Sequence, residues 1–577
     1  MKSQSAPELQ VRSSSSPALS SPCSPPQKDK FLVFVSPCWV CADCLDLRFL
    51  RGGMSESKPG KGAAAAFEPP PPPSGYDRCW FYQVKKRRYC RGVPVRGTKF
   101  CGHHAPLSSS GASRRIPCPI DPSHTVDEAK LEKHLKVCPK AVIQRKLEGM
   151  PFYCKGCNSV PPPIPDCAVA APPSMPAVSI PTAVALAKAI VRAFGVIFPK
   201  GLETKDLSEP ELKAGFKGQL ARRRVALGGE KHILQIASLV GHMRDWGMLP
   251  AMEEGSPASA GAGNVKSVLE MGAGRGMLGY VVSGVAATEI EETTAKEGDE
   301  GGGGSNVELV MVERSSSRRK SDTRVRNDLS SEKGVGDAAA SKFRFNSASI
   351  VHTRIRCDLQ HVYLPSVIDD LRDKEGNIVV VAKHLCGVGT DLALRAVEKI
   401  RGNGRLKGVA FATCCHGVCD FDNLAGKEFF IEMIKGAGGF EASLGGIEFK
   451  MIAKWTGAST SDRKGATDSS SEHKEAPVDF KSRPGIQEGR LPGVGDICDG
   501  SIGFTKQELA RCCQRLIDQA RVMYLREKLG FPNATLKYYV GEDVTPQNAL
   551  LIAFRNSESS EEEKQRLTNK NKRAKIC

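Results

Sequence analysis

Val265-Lys-Ser-Val-Leu-Glu270-Met-Gly272-Ala-Gly274-Arg-Gly276 is the stretch on which the fold turns. Its opening six residues read as a β-strand. Three glycines at alternate positions read as a turn, and a helix is expected from Met277. A strand that passes through a glycine turn into a helix N-terminus cradles a nucleotide-type cofactor. Glycine lets the backbone take positive φ and approach a ligand closely. The tight Glu-x-Gly-x-Gly-x-Gly spacing is nearer to an S-adenosylmethionine turn than to the dinucleotide fingerprint G-x-G-x-x-G. With no pyrophosphate to neutralise, such a turn mainly shapes a surface for methionine and ribose.

Downstream, strands and helices alternate. Val307–Glu313 reads as a second strand, with Glu313 at its carboxyl end as an acceptor for ribose hydroxyls. It lies 43 residues after Glu270, against the roughly 20 usual between turn and acid. An acidic, glycine-rich insert at 291–306, read as a flexible loop, accounts for the excess. Residues 315–340 read as a second such insert. Ser349–Asp358 reads as a third strand, ended by Asp358, which is placed to face an adenine. Asn377–Lys383 is an unbroken β-branched run suited to a buried parallel strand. It is followed by His384-Leu-Cys386-Gly387 and by a helix over Thr390–Ile400 with Asp391 in its first turn. Leu406–Thr413 leads into Cys414-Cys415-His416. A helix over Lys506–Lys528 and an antiparallel pair, Leu536–Val540 with Ala549–Phe554, close the domain. Alternation of this kind predicts an α/β fold with a doubly wound, mostly parallel sheet. Helices over Thr182–Phe194 and Lys231–Trp246 are expected to cover that sheet.

Upstream lie two Cys/His clusters. Zinc takes four thiolate or imidazole ligands in a tetrahedron. Cys79, Cys90 and Cys101 with His103 or His104 make one such set, and the two-residue spacer in Cys101-x2-His104 favours His104. Cys118, His124, His134 and Cys138 make the other. Asp127–Val137 reads as a helix that puts His134 and Cys138 on one face, with Leu131, Leu135 and Val137 as its apolar residues and Val126 just before it. Four protein ligands make a closed, structural site, and two structural zinc ions are expected. The polar first cluster needs its metal in order to fold. Cys154-Lys-Gly-Cys157 has knuckle spacing without a second pair nearby and is read as non-metal. From Gly75 to Met150 there are 16 Lys and Arg against 6 Asp and Glu, with Lys85-Lys86-Arg87-Arg88 inside the first cluster. Trp80, Phe81, Tyr82, Tyr89 and Phe100 interleave with this charge. Cations for phosphates and aromatics for bases make a nucleic-acid surface.

The whole chain agrees in sign, with 577 residues, a formal charge of +18 and pI of about 9.1. The balance favours an anionic partner. Its 21 cysteines, five of them in the two clusters, read as a reducing compartment rather than a disulfide framework. Phe31–Ala42 is apolar but short of the roughly 20 residues of a spanning helix, and no membrane association is expected. Residues 1–74, rich in Ser, Pro and Ala, read as a disordered extension with Met54 as a second candidate start. Its first 30 residues also have an acid-poor, serine-rich composition of the kind seen in organelle transit peptides. The basic tail in 556–577 leaves nucleus and cytoplasm both open.

Taken together, Glu270–Gly276, Lys383–Gly387 with Asp391, and Cys414-Cys415-His416 resemble the family of tRNA 2′-O-methyltransferases that modify nucleotide 4 of the acceptor stem. The order is similar as well: a three-Cys/one-His finger (75–107), a Cys-His-His-Cys finger (114–142), a linker (143–181) and a catalytic domain (182–555) interrupted by inserts, the last at 456–497. The resemblance implies a class I, Rossmann-like methyltransferase domain with S-adenosylmethionine as donor. It implies tRNA, of glycine, proline or histidine type, as acceptor. Glu270, Gly272, Gly274, Gly276, Glu313 and Asp358 are then the expected cofactor residues. A ribose hydroxyl is a weak nucleophile that must be aligned and relieved of its proton. Lys383 or His384 is the candidate base. His416 is the other, with Asp391 to orient it. A non-catalytic nucleic-acid-binding protein and a methyltransferase with another RNA or protein acceptor are the competing readings.

Overall fold

The computed structural model describes residues 70–83, 87–101, 104, 115–122, 124–161, 178–222, 229–252, 264–297, 306–315, 342–346, 349–458, 491–498 and 502–555. Phe31–Ala42, the basic tail, Lys85, Lys86, His103 and, apart from Ser315, the insert at 315–340 lie outside them. The chain divides into two compact units, one ending at Ile143 and the other beginning at Gln144.

The first unit holds two small hairpins. Tyr82–Gln83 pairs antiparallel with Arg88–Tyr89, and Arg115–Pro117 with Thr125–Asp127. After the second hairpin comes a 3-10 turn, Glu128–Lys130, capped by the Asp127 carboxylate, and a helix, Leu131–Val137. Val137 is exposed rather than part of an apolar face. The next helix, Pro139–Glu148, runs across the predicted start of the linker. Residues 150–160 are not linker either. Asn158 is buried and donates to the Leu359 and Val362 carbonyls at 2.7 Å, and Val160 donates to Asn423. This segment is part of the second unit.

That unit is built on a seven-stranded sheet. In chain order the strands are β1 (Val265–Met271), β2 (Val307–Val312), β3 (Ile350–Ile355), β4 (Asn377–Cys386), β5 (Leu406–Cys414), β6 (Thr535–Tyr538) and β7 (Ala549–Phe554). Their spatial order is β6-β7-β5-β4-β1-β2-β3. The pairs from β3 to β5 are all parallel, and β7 is antiparallel to both its neighbours. The central strands are hydrophobic along their length because both faces are covered. The helices used below are α1 (Ile180–Ile197), α2 (Glu230–Asp245), α3 (Met277–Glu297), α4 (Val388–Glu398), α5 (Lys427–Gly436), α6 (Gly446–Trp455) and α7 (Lys506–Glu527). On one face, Val268, Leu309, Val379, Val381 and Ile552 pack with α2 and α3. On the other, Leu269, Val310, Val380, Phe411 and Leu551 pack with α4 and the end of α7.

Several expectations shift. The first insert begins later than predicted, because α3 continues as helix through Glu297. The last insert is ordered at both ends: Thr456 is buried beside Gln514, and Val494–Ile497 is a helical turn. β3 ends at Ile355, and Asp358 instead caps the 3-10 turn Leu359–His361 through the Gln360 amide. α2 covers the sheet as expected, but α1 does not. Leu186, Ala187, Ile190 and Ala193 pack with α5, α6 and the first half of α7 in a separate helical core. By length and composition α1 would suffice to cross a membrane; here that apolar side is buried against other helices.

Candidate active site and metal centres

In the first unit each predicted ligand set converges. His104 Nδ1 lies 3.3 Å from both Cys79 Sγ and Cys101 Sγ, and Cys90 Sγ lies 3.9 Å from Cys101 Sγ. A tetrahedron with Zn–S bonds of about 2.3 Å places sulfurs about 3.8 Å apart, so the donor set fits zinc. Phe81 stacks on the His104 ring at 3.9 Å and fixes its orientation. Lys99 sits over the Trp80 ring at 3.8 Å, so charge and aromatic surface are interleaved in three dimensions too. In the second set, Cys118 and Cys138 sulfurs are 3.9 Å apart and the His124 and His134 Nε2 atoms 3.0 Å apart. The Asp121 carboxylate, 3.6 Å from His124 Nδ1, orients that ring from behind, as second-layer carboxylates do for metal-bound imidazoles. Among the described residues the apolar core around Cys118 and Cys138 comprises Ala141 and Ile120, so metal must supply most of the folding free energy. His134→Ala is therefore expected to remove one zinc equivalent per chain and to open residues 115–139 to protease. Metal analysis with limited proteolysis checks this.

In the second unit the chain leaves β1 for β2 and β3 on one side and returns to β4 on the other. The switch point thus lies between β1 and β4, and open α/β sheets bind ligands at the carboxyl ends there. The glycine turn occupies that edge. Gly272, Gly274 and Gly276 have φ of +63°, +49° and +74°. A Cβ on Gly272 would meet Leu385 Cδ1 at 2.5 Å, and one on Gly276 would run into Met311 Sδ, with Arg354 Nη2 at 3.2 Å. Among the described residues a Cβ on Gly274 would meet no atom within 4 Å, so the turn keeps one open face there. Arg354 Nη1 donates to the Gly274 carbonyl at 3.0 Å, and Glu313 accepts from the Gly274 amide at 2.8 Å. Glu313 also accepts from the Ser315 amide at 2.7 Å. Each carboxylate oxygen retains a second lone pair for a hydroxyl. Asp358 lies 3.7 Å from Arg314.

Glu270 is buried beneath the turn, where its Oε2 accepts from the Gly279 amide at 3.1 Å in the first turn of α3. Burial pushes its carboxyl up to about 8, against the pull of that amide and of Arg354. Open face, paired acids and a helix N-terminus fit a methionine-and-ribose ligand. Gly276→Ala is expected to cost about 1–3 kcal/mol of stability from backbone strain alone, and more from the collision with Met311. Gly274→Ala carries the strain without the collision and should unfold at a higher temperature than Gly276→Ala. Thermal unfolding of the two variants checks the difference.

The end of β4 is bulged. The register with β5 shifts between Lys383 and Leu385, and His384 sits at φ +61°. Lys383 is half-buried, and desolvation pushes its ammonium down to about 8 despite the acid at Glu270. Desolvation and the neighbouring Lys383 charge push His384 down to about 4. The His232 ring on α2 meets His384 edge-on at 5.8 Å. Nothing in the sequence marks His232, one polar residue at the start of an amphipathic helix.

Cys386 Sγ lies 3.5 Å from Cys414 Sγ. The hydrogen bond from Cys414 pulls the Cys386 thiol down to about 6 and drives its own in the opposite direction.

His416 is fully buried, and its partner is not the predicted one. Its Nε2 donates to Asp518 Oδ1 at 2.8 Å, while Asp391 is held by Arg521 at 2.8 and 2.9 Å. Arg521 also donates to Asp518, so Asp391, Arg521, Asp518 and His416 form one buried chain. Arg515 and Thr413 complete the shell of Asp518. Burial opposes charge on Asp518, but His416, Arg515 and Arg521 hold its carboxyl below the usual range. Burial lowers His416, whose Nδ1 has no hydrogen-bond partner among the described residues. This sealed imidazole directly follows the Cys414–Cys415 turn.

Three family comparisons follow the same division of the chain. Residues 234–554 match the Methyltransferase TRM13 family, residues 77–105 a CCCH zinc finger in TRM13 protein, and residues 115–139 a U11-48K-like CHHC zinc finger. A tRNA:m(4)X modification enzyme TRM13 from Vanderwaltozyma polyspora is 28% identical over 83% of this chain and 97% of its own length. The tRNA:m(4)X modification enzyme TRM13 homolog of Homo sapiens is 28% identical over 84% of this chain and 96% of its own. A TRM13 enzyme of Oryza sativa is 35% identical over 35% of this chain and 81% of its own.

Proposed function

The chain belongs to the TRM13 methyltransferase family, and from that premise we propose that it methylates the ribose 2′-oxygen of nucleotide 4 in tRNA, with S-adenosylmethionine as donor. Tyrosine, lysine and arginine around the two metal clusters suit them to hold the RNA. The finger boundaries at 75–107 and 114–142 and a catalytic domain over 182–555, joined by the anchored segment 150–160, are part of this reading. The relatives' name, tRNA:m(4)X modification enzyme, supports the acceptor and the position. A parallel, doubly wound sheet with one antiparallel strand near its edge supports a class I, Rossmann-like domain. The observation that carries the reading is the meeting, at one carboxyl edge, of an open glycine turn with a lysine of lowered pKa.

The donor, when bound, supplies an electrophilic methyl on a sulfonium. The residues around it do the rest. Gly272, Gly274 and Gly276 let the backbone lie against the methionine and ribose portions. Glu313 would accept from ribose hydroxyls, and Asp358 would face the adenine. Glu270 fixes the start of α3 through the Gly279 amide and supplies a carboxyl beside Lys383. Lys383, as the free amine, accepts the proton of the attacking hydroxyl at Nζ. His384 lines the same edge. Asp391 and His416 act from beneath, by fixing the loops after β4 and β5.

The test is incubation of purified protein and labelled donor with bulk tRNA, ribosomal RNA and a protein extract. Label is expected on tRNA alone, in a nuclease-resistant dinucleotide that contains nucleotide 4. Label in another acceptor, or none with active donor binding, would overturn the proposal.

A further inference from the structure

Cys386 closes β4 and Cys414 closes β5, and the two are register partners in adjacent parallel strands. Their side chains therefore leave the sheet on the same side. Cys415 comes next in the chain and would point away if the strand continued. Instead it takes φ +48° and ψ +48°, which ends the alternation and returns its thiol to the other two. Across the gap, the bulge at His384 supplies the extra residue that brings Cys386 level with Cys414. Only four non-glycine residues among those described have positive φ, and two of them are here: His384, two residues before Cys386, and Cys415 itself. Such strain persists where the surroundings over-determine it, and it collects at functional sites.

The result is three sulfurs within 4.8 Å of one another. The Cys386–Cys414 separation of 3.5 Å is close to the 3.9 Å between sulfurs in each finger. Cys386 and Cys415 are exposed and Cys414 is buried, so the trio has a solvent side. Neither finger motif nor the methyl-transfer chemistry uses these thiols.

We propose that Cys386, Cys414 and Cys415 hold a third zinc ion, bound by three thiolates with the fourth position open to water, which clasps the ends of β4 and β5 beside Lys383. Three protein ligands and a solvent-facing fourth position distinguish it from the closed four-ligand sites of the fingers. His416 is not the missing ligand: the ligand atoms that come together here are those of the three cysteines, and His416 is not among them. The clasp would tie the bulge at His384 to the turn at Cys415 and so hold Lys383 in register.

Zinc per chain, measured on full-length protein purified with a thiol reductant and without chelator, tests this. Three equivalents are expected. The double variant Cys386→Ser/Cys415→Ser, which alters only exposed thiols, should hold two. A chain in which Cys101→Ser and Cys138→Ser break both fingers should retain one, with the charge-transfer absorption of a thiolate-rich site when loaded with Co2+. Two equivalents in the unaltered chain would overturn the proposal. So would three in the double variant, or a Cys386–Cys414 disulfide in peptide maps of the reduced, zinc-loaded protein.

Discussion

Lys383→Ala is expected to lower the methyl-transfer rate at saturating RNA and donor by about 10²–10⁴-fold, the usual worth of a positioned base. The expectation follows from where the lysine sits. Burial brings its ammonium down to about 8, so near neutral pH an appreciable fraction is free amine. Below that value the rate should climb about tenfold per pH unit, because only the deprotonated form accepts a proton, and above it the rate should level. His384 predicts a different profile. With its pKa pushed down to about 4, a histidine base would already be unprotonated and the rate flat from pH 6 to 9. Lys383→Arg keeps the charge but offers no acceptor, and should be as slow as the alanine variant. Single-turnover rates against pH, with tRNA binding measured alongside, distinguish lost chemistry from lost affinity.

Asp518→Ala is expected to destabilise the protein by about 3–5 kcal/mol, the cost of leaving buried charge uncompensated. Four donors converge on that carboxylate: His416 Nε2, Arg515, Arg521 and Thr413. Without it, Arg521 keeps Asp391, the Gly387 carbonyl and Cys419, but Arg515 is left in the interior with Gln514 and the Tyr538 ring and no carboxylate. The pH dependence carries a sign. Asp518 is held below its unfolded value, so its contribution is present above about pH 4 and lost as pH falls through the lower folded value. His416 is also held below its unfolded value, and the unfolded chain takes up its proton first. Stability should therefore begin to fall below about pH 6.5, and that early loss should vanish in His416→Gln. Denaturant unfolding at several pH values measures both.

Much of this machinery was legible in the residues. β1, its glycine turn and α3 stand out because three glycines interrupt a hydrophobic run at fixed spacing. The metal ligands stand out because their spacing fits a tetrahedron. The partner of His416 did not. Asp518 and Arg521 lie on α7, more than 100 residues away, and in sequence they look like ordinary charges on a solvated helix. Only the packing of α7 against α1, β6 and β7 turns them inward, and Asp391 is nearer to His416 in the chain. Composition misled at two borders. The acidic, threonine-rich start of the first insert is helical as far as Glu297, because helix propagation adds a hydrogen bond per residue without requiring burial. Residues 150–160 look like spacer, yet Asn158 is anchored by two backbone carbonyls. The bulge at His384 has no sequence signature, and with it went the convergence of the three cysteines.

The most direct measurement compares two tRNA transcripts that differ by one oxygen, with ribose or 2′-deoxyribose at nucleotide 4. The purified chain should label the first with methyl from S-adenosylmethionine and leave the second blank, while binding both. Equal labelling of the two would place the methyl elsewhere and contradict the account.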